Sequence, residues 1–311
     1  MKILDFGSLN LDVLFRVDHF VKRGETLKAA STAVSCGGKG LNQALAAAKA
    51  GCEVYMAGCT GQDGNILLET LRQAGVNCRH VRQLQNANTG QAIIQNDPSG
   101  DNCILLDPGA NCWVEPSQID AVLDFFEAGD ILLCQNEISC MDELLEKAAK
   151  KGMTICYNPA PMTEETKARN LDSIACLVVN ECECRQLLDL EEQLPQILVQ
   201  EFMRKYPDTA LLLTLGEAGA IYCDRQVICE VEACPVEAID TTGAGDTFIG
   251  YFASARANGS SIEEALRLAT AASALCVQKQ GAADSIPSRA QVDSFLERTS
   301  IPVSIWPRFT L

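Results

Sequence analysis

Short apolar runs alternate with segments of helical spacing along most of this chain. Six runs have the length and apolar content of buried strands, and they lie at residues 2–9, 53–59, 131–135, 153–158, 175–180 and 209–215. Between them, apolar residues recur every three or four positions, as at 41–48, 66–71 and 144–148, which indicates helices. This alternation predicts an α/β fold with a largely parallel sheet that is covered by helices on both faces.

The C-terminal third is predicted to be mostly helical. We expect helices at about 245–258, 261–280 and 289–299 from the spacing of their apolar residues. Ser261 and the acidic residues Glu263 and Glu264 form a typical helix start, since a hydroxyl caps the first amides and acidic side chains favour the first turn.

Two stretches interrupt the strand–helix pattern. The turn-forming residues 96–101 separate two apolar runs, which is a hairpin signal. A second segment of alternating character precedes the first helix, and together they predict a small antiparallel sheet inserted as a lid. The predicted domains are an α/β core of residues 1–11, 37–87 and 108–311 and a β-sheet lid of residues 12–36 and 88–107.

Composition narrows the classes of function. The chain has 311 residues and a formal net charge of −16, which disfavours binding to nucleic acid or to anionic membranes. Its two histidines exclude a His-rich metal site and disfavour a Ser-His-Asp hydrolase. The 16 cysteines form no CxxC pair, and the sequence shows no signal peptide and no membrane span. These features predict a cytoplasmic protein with reduced cysteines.

The strongest candidate for chemistry is the segment Asp240–Gly250, a glycine-rich turn that leads into a predicted helix. Gly243 and Gly245 allow a tight backbone, and the unpaired amides at a helix start form an anion site. The Asp246 carboxylate stands at the same place, where it can take a proton from a hydroxyl while the amides hold a phosphoryl group. The alternative is that Asp246 only caps the helix. The segment is neither a Walker A loop nor a complete Rossmann fingerprint.

A second glycine turn precedes the first helix, at Cys36–Ala44. Lys39 can face a phosphate here and Asn42 can hydrogen-bond a polyol, although the segment could also be a plain strand–turn–helix junction. Asn10 and Asp12 alternate on one side of an extended segment after the first strand, where they can bracket two neighbouring hydroxyls. The alternative is that they are ordinary polar loop residues.

Further polar residues follow later strands. Glu137, Asn180 and Thr214 each lie at the carboxyl end of a predicted strand or just beyond it. Each is individually more typical of a turn than of a site. Their common position counts in favour of a site, because open α/β sheets bind ligands at the carboxyl ends of their strands.

Together these segments resemble the PfkB family of carbohydrate kinases over about residues 3–299. The glycine turns at 36–44 and 240–250 lie in the order of the family's two signatures, about 200 residues apart. The resemblance implies a three-layer α/β core with a mostly parallel central sheet and a small inserted β-sheet lid. It also implies ATP-dependent phosphorylation of a sugar hydroxyl, with ribose as the expected sugar, and it points to a homodimer.

The resemblance also implies roles for particular residues. Asp246 matches the catalytic base, with Gly243, Ala244 and Gly245 as the anion hole. The sugar-binding positions are Asn10, Asp12, Gly38, Lys39, Asn42, Glu137 and Asp246. The nucleotide positions are Asn180, Glu183, Thr214, Gly216, Gly219 and Thr270, of which Asn180 and Glu183 match a motif linked to magnesium and phosphate. Thr270 departs from the histidine or asparagine that is common in the family.

The resemblance further implies a monovalent-cation site, with potassium as the expected ion. Its positions are Asp240, Thr242, Cys276, Lys279, Gly281 and Ser285, several of them acting through backbone carbonyls. The free carbonyls expected at the end of the 261–280 helix and the Asp240 carboxylate would suit such an ion. The alternative is an ion pair between Asp240 and Lys279.

Other readings remain open at this point. The predicted lid is too small to be stable alone, and a second copy could cover its exposed face in a two-fold dimer. Within the family, the sugar could instead be deoxyribose, a ketose or a nucleoside. From other classes, a non-catalytic sugar-binding regulator would not need Asp246 beside an anion hole, and an NAD-dependent oxidoreductase is disfavoured by the absent fingerprint.

Overall fold

Two β-sheets organise the chain, whose computed structural model describes residues 1–99 and 101–307. The larger sheet contains β1 (Ile3–Phe6), β4 (Val54–Gly61), β5 (Asn77–Leu84), β8 (Ile131–Gln135), β9 (Thr154–Asn158), β10 (Cys176–Asn180), β11 (Ala210–Thr214), β12 (Ala220–Cys223), β13 (Val227–Val231) and β14 (Val303–Pro307). The smaller sheet contains β2 (Asn10–Arg16), β3 (Ser31–Gly37), β6 (Gly90–Asn96) and β7 (Asn102–Asp107).

The larger sheet is mostly parallel, as predicted. Its spatial order is β14-β13-β12-β11-β10-β9-β8-β1-β4-β5. All neighbours from β5 to β11 pair in parallel, whereas β12, β13 and β14 add an antiparallel extension beside β11. Each of the six apolar runs overlaps one of the parallel strands, because a strand buried on both faces needs a continuous apolar sequence. The seventh parallel strand, β5, lies at the sheet edge with exposed positions and was not predicted.

Helices cover both faces of the larger sheet. They are α1 (Lys39–Lys49), α2 (Asn65–Gln73), α3 (Pro116–Leu123), α4 (Met141–Lys151), α5 (Glu164–Lys167), α6 (Glu181–Leu188), α7 (Pro195–Lys205), α8 (Ala244–Ala257), α9 (Ile262–Cys276) and α10 (Arg289–Leu296). Ile3 of β1 packs in one core cluster with α1, α2, α8 and α9, whereas the next residue, Leu4, packs in a second cluster with α3, α4 and α7. Neighbouring strand residues point to opposite faces, so the core has three layers.

The predicted helix at 261–280 is too long, because α9 ends at Cys276. Beyond it, the carbonyl of Val277 accepts hydrogen bonds from the amides of Ile239 and Asp240, and Gly281 has φ +88°. These tertiary bonds replace the helical pattern. The start of α9 is as predicted: Ser261 Oγ accepts from the Glu264 amide and the Glu264 carboxylate accepts from the Ser261 amide.

The smaller sheet has the order β3-β2-β6-β7. Its two outer pairings are antiparallel, as the hairpin signals predicted, but its central pairing of β2 with β6 is parallel. The sequence did not indicate this parallel pairing, so the expectation of a wholly antiparallel sheet was wrong. The sheet begins at Asn10, directly after the Gly7–Leu9 connection from β1.

An apolar row crosses one face of this sheet. Val34 pairs with Val13, Val13 with Ile93, and Ile93 with Leu105. Directly paired residues share a face, and successive residues alternate, so Asp12 points to the opposite face. The ends of the row are exposed, with Val34 at 59% and Leu105 at 67% of their accessible surface.

Two general features bear on the environment of the protein. All 16 cysteines are free thiols, and nine of them are buried. Among the described residues, no helix combines the length and the apolar character needed to cross a membrane.

Candidate active site

Glycines let the start of α1 lie directly against the end of β1. A Cβ atom at Gly40 would lie 2.5 Å from the Ser8 amide nitrogen and 2.7 Å from the Gly7 Cα. Gly38 has φ +94°, and a Cβ atom there would lie 2.9 Å from the Ser8 carbonyl oxygen. Only glycine fits such an approach without strain. The contact places Lys39 and Asn42 at the carboxyl end of the central strand.

A second close contact brings α8 onto α1. A Cβ atom at Gly250 would lie 2.5 Å from the Ala46 Cβ. One turn earlier on the same face of α8, the Asp246 carboxylate accepts two hydrogen bonds from α1. Asn42 Nδ2 donates to Oδ2 over 3.0 Å, and Gln43 Nε2 donates to Oδ1 over 2.9 Å. Asp246 is therefore held by side chains rather than acting only as a helix cap.

The glycine turn before α8 has the geometry of an anion site. Gly243 adopts φ +76° directly before the helix, and a Cβ atom there would lie 3.1 Å from the Ala282 Cα. The Ala244 amide donates to the Thr241 carbonyl, so it is already engaged. Within the described residues, the amides of Gly245 and Asp246 meet no protein acceptor. These two amides and the helix dipole favour a negatively charged ligand at this point.

A cavity of about 170 Å³ opens beside this turn. It gathers seven of the predicted site residues, together with apolar and amide side chains from the neighbouring strands. Its lining is Lys39, Asn158, Ala160, Val178, Val179, Asn180, Glu183, Thr214, Gly243, Gly245, Asp246 and Ile249. The strand ends β9, β10 and β11 therefore meet the starts of α1 and α8 in one cavity, as the sequence argument expected.

The predicted sugar-binding residues lie next to this cavity. Glu137 accepts hydrogen bonds from Ser8 Oγ and, over 3.3 Å, from the Lys39 amide. Asn10 Oδ1 accepts from Asn111 Nδ2 over 2.7 Å. The Asp12 carboxylate lies against Gly37, where a Cβ atom would be 2.1 Å from its Oδ2. Polar groups on β2, α1 and the β8 end therefore surround one space.

Charges in this space are strongly coupled. Burial, together with the charges of Glu137 and Asp246, raises the pKa of Asp12 from 3.8 to about 6, although Lys39 opposes the shift. Burial also raises the pKa of Glu137 and of Glu183. Burial alone would lower the pKa of Lys39, but the surrounding carboxylates outweigh it and raise that pKa. Lys39 therefore stays charged and neutralises part of a dense anionic cluster.

The predicted nucleotide residues divide into two groups. Asn180 and Glu183 form a capping box at the start of α6 and also line the cavity, as does Thr214. Gly216 (φ +59°) and Gly219 (φ +105°) shape the turn after β11, and a Cβ atom at Gly219 would lie 2.0 Å from the Val231 carbonyl. Thr270 is different, because its hydroxyl is buried within α9 and it does not line the cavity.

The cavity lining contains two carboxylates, Glu183 and Asp246, of which Asp246 is already held by Asn42 and Gln43. Glu183 Oε2 accepts from the Asn180 amide. Its other oxygen receives no hydrogen bond from any described residue, and the side chain lines the cavity. Residues 1–99 and 101–307 contain no cluster of three or more acidic, His or Cys side chains that could hold a metal alone. Glu183 therefore fits a magnesium ion that is bound chiefly by phosphates.

The six predicted cation residues meet in the loops beside the glycine turn. The Asp240 carboxylate accepts from the amides of Thr242 and Gly281, each over 2.9 Å. Cys276 Sγ lies 3.0 Å from Ser285 Oγ and 4.0 Å from the Thr242 carbonyl, and the Cys276 carbonyl accepts from the Lys279 amide. No ion pair joins Asp240 to Lys279 in the described part of the chain. The carboxylate and nearby carbonyls suit a large monovalent ion, although several expected free carbonyls are already bonded.

Sequence reasoning missed several polar residues of this region. Gln43 holds Asp246, Asn111 holds Asn10, and Asn158 lines the cavity. Gln43 directly follows Asn42 in the glycine turn at 36–44, and its amide side chain within that motif was the signal available from the sequence. Asn111 gave no such signal, because its contact with β2 spans 101 residues.

Comparison with known proteins supports the same reading. The chain matches the pfkB family carbohydrate kinase description over residues 2–289. It is 36% identical to a ribokinase of Schizosaccharomyces pombe, covering 94% of this chain and 97% of that one. It is 31% identical to a deoxyribokinase of Salmonella typhi, with coverages of 95% and 99%. The solved structure of Arabidopsis thaliana ribokinase complexed with ribose and ATP superposes with a TM-score of 0.85 at 31% identity. The match covers 95% of this chain and 98% of that one.

The fold, the anion turn and the held carboxylate define a phosphotransferase with an alcohol group as acceptor. The match spans nearly the whole chain and includes both glycine motifs. The chain belongs to the PfkB family of carbohydrate kinases.

Proposed function

We propose that this protein is an ATP-dependent ribokinase, which phosphorylates the 5-hydroxyl of D-ribose to give ribose 5-phosphate. The observation that carries the proposal is the Asp246 carboxylate, held by Asn42 and Gln43 at a helix start whose Gly245 and Asp246 amides have no acceptor among the described residues. The similarity to proteins named ribokinase, over most of the chain, supports ribose as the sugar.

The sugar is bound, in this proposal, by Asn10, Asp12, Gly38, Lys39, Asn42 and Glu137. Asn10 and Asp12 are two residues apart on β2 and share a face, so they can bind adjacent hydroxyls. Their own positions are fixed by Asn111 and by the backbone at Gly37. Fixed partners reduce the entropy lost on binding, and this is why such sites can discriminate between sugars.

Transfer of the phosphoryl group requires no covalent bond between substrate and protein. Asp246 accepts the proton of the 5-hydroxyl as that oxygen bonds to the γ-phosphorus of ATP and the bond to the ADP oxygen breaks. The transition state is loose, so positioning and charge neutralisation contribute most of the rate. The amides of Gly245 and Asp246 donate to the transferring phosphoryl oxygens, and Gly243 and Ala244 shape the turn that presents them.

ATP lies, in this proposal, along the ends of β10 and β11. Asn180, Glu183 and Thr214 line that side of the cavity, and Gly216 and Gly219 form the next turn. A bound magnesium ion would supply charge neutralisation to the phosphates, and Glu183 would hold it. Of the proposed nucleotide-binding residues, Thr270 has no support from the cavity, because it does not line it.

A monovalent cation, expected to be potassium, would bind beside the anion turn. Asp240, Thr242, Cys276, Lys279, Gly281 and Ser285 would surround it. The support is that Asp240 bridges Thr242 and Gly281, the two loops that frame Gly243. An ion there would act on the shape of the turn without touching the sugar.

The four-stranded sheet would serve as a lid and as the contact between two copies. Its support is the exposed apolar row Val34, Val13, Ile93 and Leu105, on the face opposite Asp12. A second copy of the same row is the simplest cover for it.

Light scattering should show a dimer at micromolar concentration, and a Leu105→Glu variant should shift it to a monomer. The free cysteines support a cytoplasmic location.

The decisive experiment is a coupled assay of ADP release with a panel of sugars and nucleosides. D-Ribose should give the highest kcat/KM, and the product should carry phosphate on the 5-oxygen by NMR. Higher kcat/KM with 2-deoxyribose, a ketose or a nucleoside would reassign the sugar within the family. No ADP release with any acceptor, while ribose still binds, would favour the sugar-binding regulator.

A further inference from the structure

A chain of buried polar side chains runs from the middle of the sheet to Asp246. Asp5 lies within β1 at 0% exposure, and Gln135 and Gln43 are equally buried. Gln135 Nε2 donates to Asp5 Oδ1 over 3.2 Å and to Gln43 Oε1 over 2.8 Å. Gln43 Nε2 donates in turn to Asp246 Oδ1 over 2.9 Å and to Asn158 Oδ1 over 3.3 Å. Asp5, Gln135 and Gln43 bind no substrate in the proposed function.

The direction of each bond in this chain follows from Asp246. An ionised carboxylate only accepts hydrogen bonds, so Gln43 must present its nitrogen to Asp246. Gln43 then presents its oxygen to Gln135, which must present nitrogen in return. Gln135 has one N–H left, and Asp5 Oδ1 accepts it. Asp5 thus accepts the N–H that Gln135 presents in the orientation that Gln43 requires, and it ends the chain on the side away from the base.

The backbone at Gly7 packs directly against the Gln135 side chain. A Cβ atom at Gly7 would lie 2.1 Å from Gln135 Oε1 and 2.8 Å from Asp5 Oδ1. The strand end therefore has room for the amide only because residue 7 is glycine. Two oxygens in this space, Asp5 Oδ2 and Gln135 Oε1, are buried without a hydrogen-bond partner. A protonated Asp5 has a hydroxyl that can serve as a donor in this buried space.

We propose that Gln43 and Asp5 are positioning residues for phosphoryl transfer, with Asp5 anchoring Gln135 and Gln135 orienting Gln43 against Asp246. Asp5 acts as a neutral acid, whose carbonyl oxygen accepts from Gln135 and whose hydroxyl can donate back to it. Burial is the main cause that places the pKa of Asp5 well above its usual range; Asp246 and Cys156 raise it further, and the Gln135 bond opposes them. The inference rests on the proposed role of Asp246 as the base.

The consequence for catalysis is a fixed carboxylate. With Gln43 on Oδ1 and Asn42 on Oδ2, the Asp246 carboxylate cannot rotate, and its remaining lone pairs face the cavity that it lines. A carboxylate that is oriented before the sugar arrives does not lose rotational freedom in the transition state. Loss of the anchor should therefore lower kcat and leave the KM values for sugar and ATP nearly unchanged.

The test compares two variants at Asp5. Asp5→Asn keeps the shape and offers both an acceptor and a donor to Gln135, so it should retain most of kcat. Asp5→Val suits a β-strand but offers neither. Without the anchor, Gln43 should lose its hydrogen bond to the Asp246 carboxylate, and kcat should fall about 10- to 100-fold, the effect of losing a hydrogen bond to a charged group. The KM for ribose and for ATP should change less than about 3-fold in both variants, because no substrate contact is removed.

Each outcome separates this inference from the proposed function. A wild-type kcat in Asp5→Val would overturn the proposal that Asp5 anchors Gln135. An active Asp246→Asn variant would instead overturn the assignment of Asp246 as the base, on which this inference rests. An equal loss in Asp5→Asn and Asp5→Val would show that an ionised Asp5 is required, against the neutral acid. If Asp5→Val does not fold, Gln43→Met fills a similar volume without an N–H. An unchanged kcat in that variant would overturn the positioning role.

Discussion

Asn42 Nδ2 donates a hydrogen bond to Asp246 Oδ2 over 3.0 Å, across 204 residues of sequence. Asn42 belongs to the glycine turn at 36–44 and Asp246 to the glycine turn at 240–250, so this bond joins the two turns directly. It also joins a proposed sugar-binding residue to the proposed base. In the proposed function, this bond would keep a sugar hydroxyl bound by Asn42 close to the carboxylate that takes the proton.

Replacing Asp246 by Asn should nearly abolish turnover and leave ribose binding largely intact. The amide is close in shape to the carboxylate but cannot accept the proton, and loss of a general base costs about 10²–10⁴-fold in rate. Steady-state kinetics and calorimetric titration with ribose measure the two effects. Glu69→Gln, an exposed change on α2, is the matched control and should keep full activity. Turnover of Asp246→Asn within a few-fold of wild type would remove the base assignment.

Ribose should be preferred over 2-deoxyribose. If Asn10 and Asp12 bind adjacent hydroxyls, the deoxy sugar leaves a buried polar group unpaired, which costs about 1–3 kcal/mol, or roughly 5- to 150-fold in kcat/KM. The ratio of kcat/KM for the two sugars measures this directly. Asp12→Ala should bring the ratio closer to one, because no Asp12 carboxylate is then left unpaired when the 2-hydroxyl is missing. Equal values in the wild-type enzyme would contradict the paired-hydroxyl contact.

Asp12 should reduce the stability of the free enzyme at neutral pH. Its folded pKa of about 6 exceeds the unfolded value of 3.8, so the folded state binds this proton more tightly. The stabilising contribution of the proton is complete below about pH 4 and is lost as pH rises through about 6. Asp12→Asn removes the buried charge and should raise the free energy of unfolding by about 1–3 kcal/mol near pH 7.5.

Urea unfolding without sugar, at about pH 7.5 and about pH 4.5, measures this difference. The gap between Asp12→Asn and wild type should shrink at the lower pH, where wild-type Asp12 is mostly protonated. The same variant should bind ribose more weakly at neutral pH. A gap that stays constant with pH would show that Asp12 is not the group that titrates.

Potassium should support higher activity than sodium or tetramethylammonium at equal ionic strength. A large ion between Asp240 and the loop carbonyls would fix the anion turn, and a bulky organic cation cannot enter. Asp240→Ala should lower activity and remove the dependence on the ion. Lys279→Ala should keep the dependence, because Lys279 is expected to contribute its backbone carbonyl only. Equal rates in potassium and tetramethylammonium would mean that protein groups alone hold the turn.

Six of the seven parallel strands, and the edge where polar residues gather after them, could be predicted because both follow from local sequence. A strand buried on both faces is a continuous apolar run, and the polar residues that follow such runs must gather at one sheet edge. The position of Asp246 in the first turn of α8 could be predicted for the same reason, since its glycine turn and helix are contiguous. These features need no knowledge of which distant residues meet.

Long-range contacts account for what could not be predicted. The end of α9 at Cys276 depends on the Val277 carbonyl, which the amides of Ile239 and Asp240 occupy. The parallel pairing of β2 with β6 joins strands that lie far apart in sequence, with core elements from α1 to β5 between them, so no local pattern indicates it. Asp5 lies in an apolar run and gave no sign of its partner, because Gln135 is 130 residues away.

The contact of α8 with α1 also sets when the protein can become active during synthesis and refolding. A chain that ends before Gly243 contains β2, α1 and the residues proposed to hold the sugar, but it has no Asp246 for Asn42 and Gln43 to bind. With Asp246 as the proposed base, catalysis would begin only when α8 has packed onto α1. Recovery of turnover in a refolding experiment would time this closure, which spectroscopic signals from the sheet alone would not report.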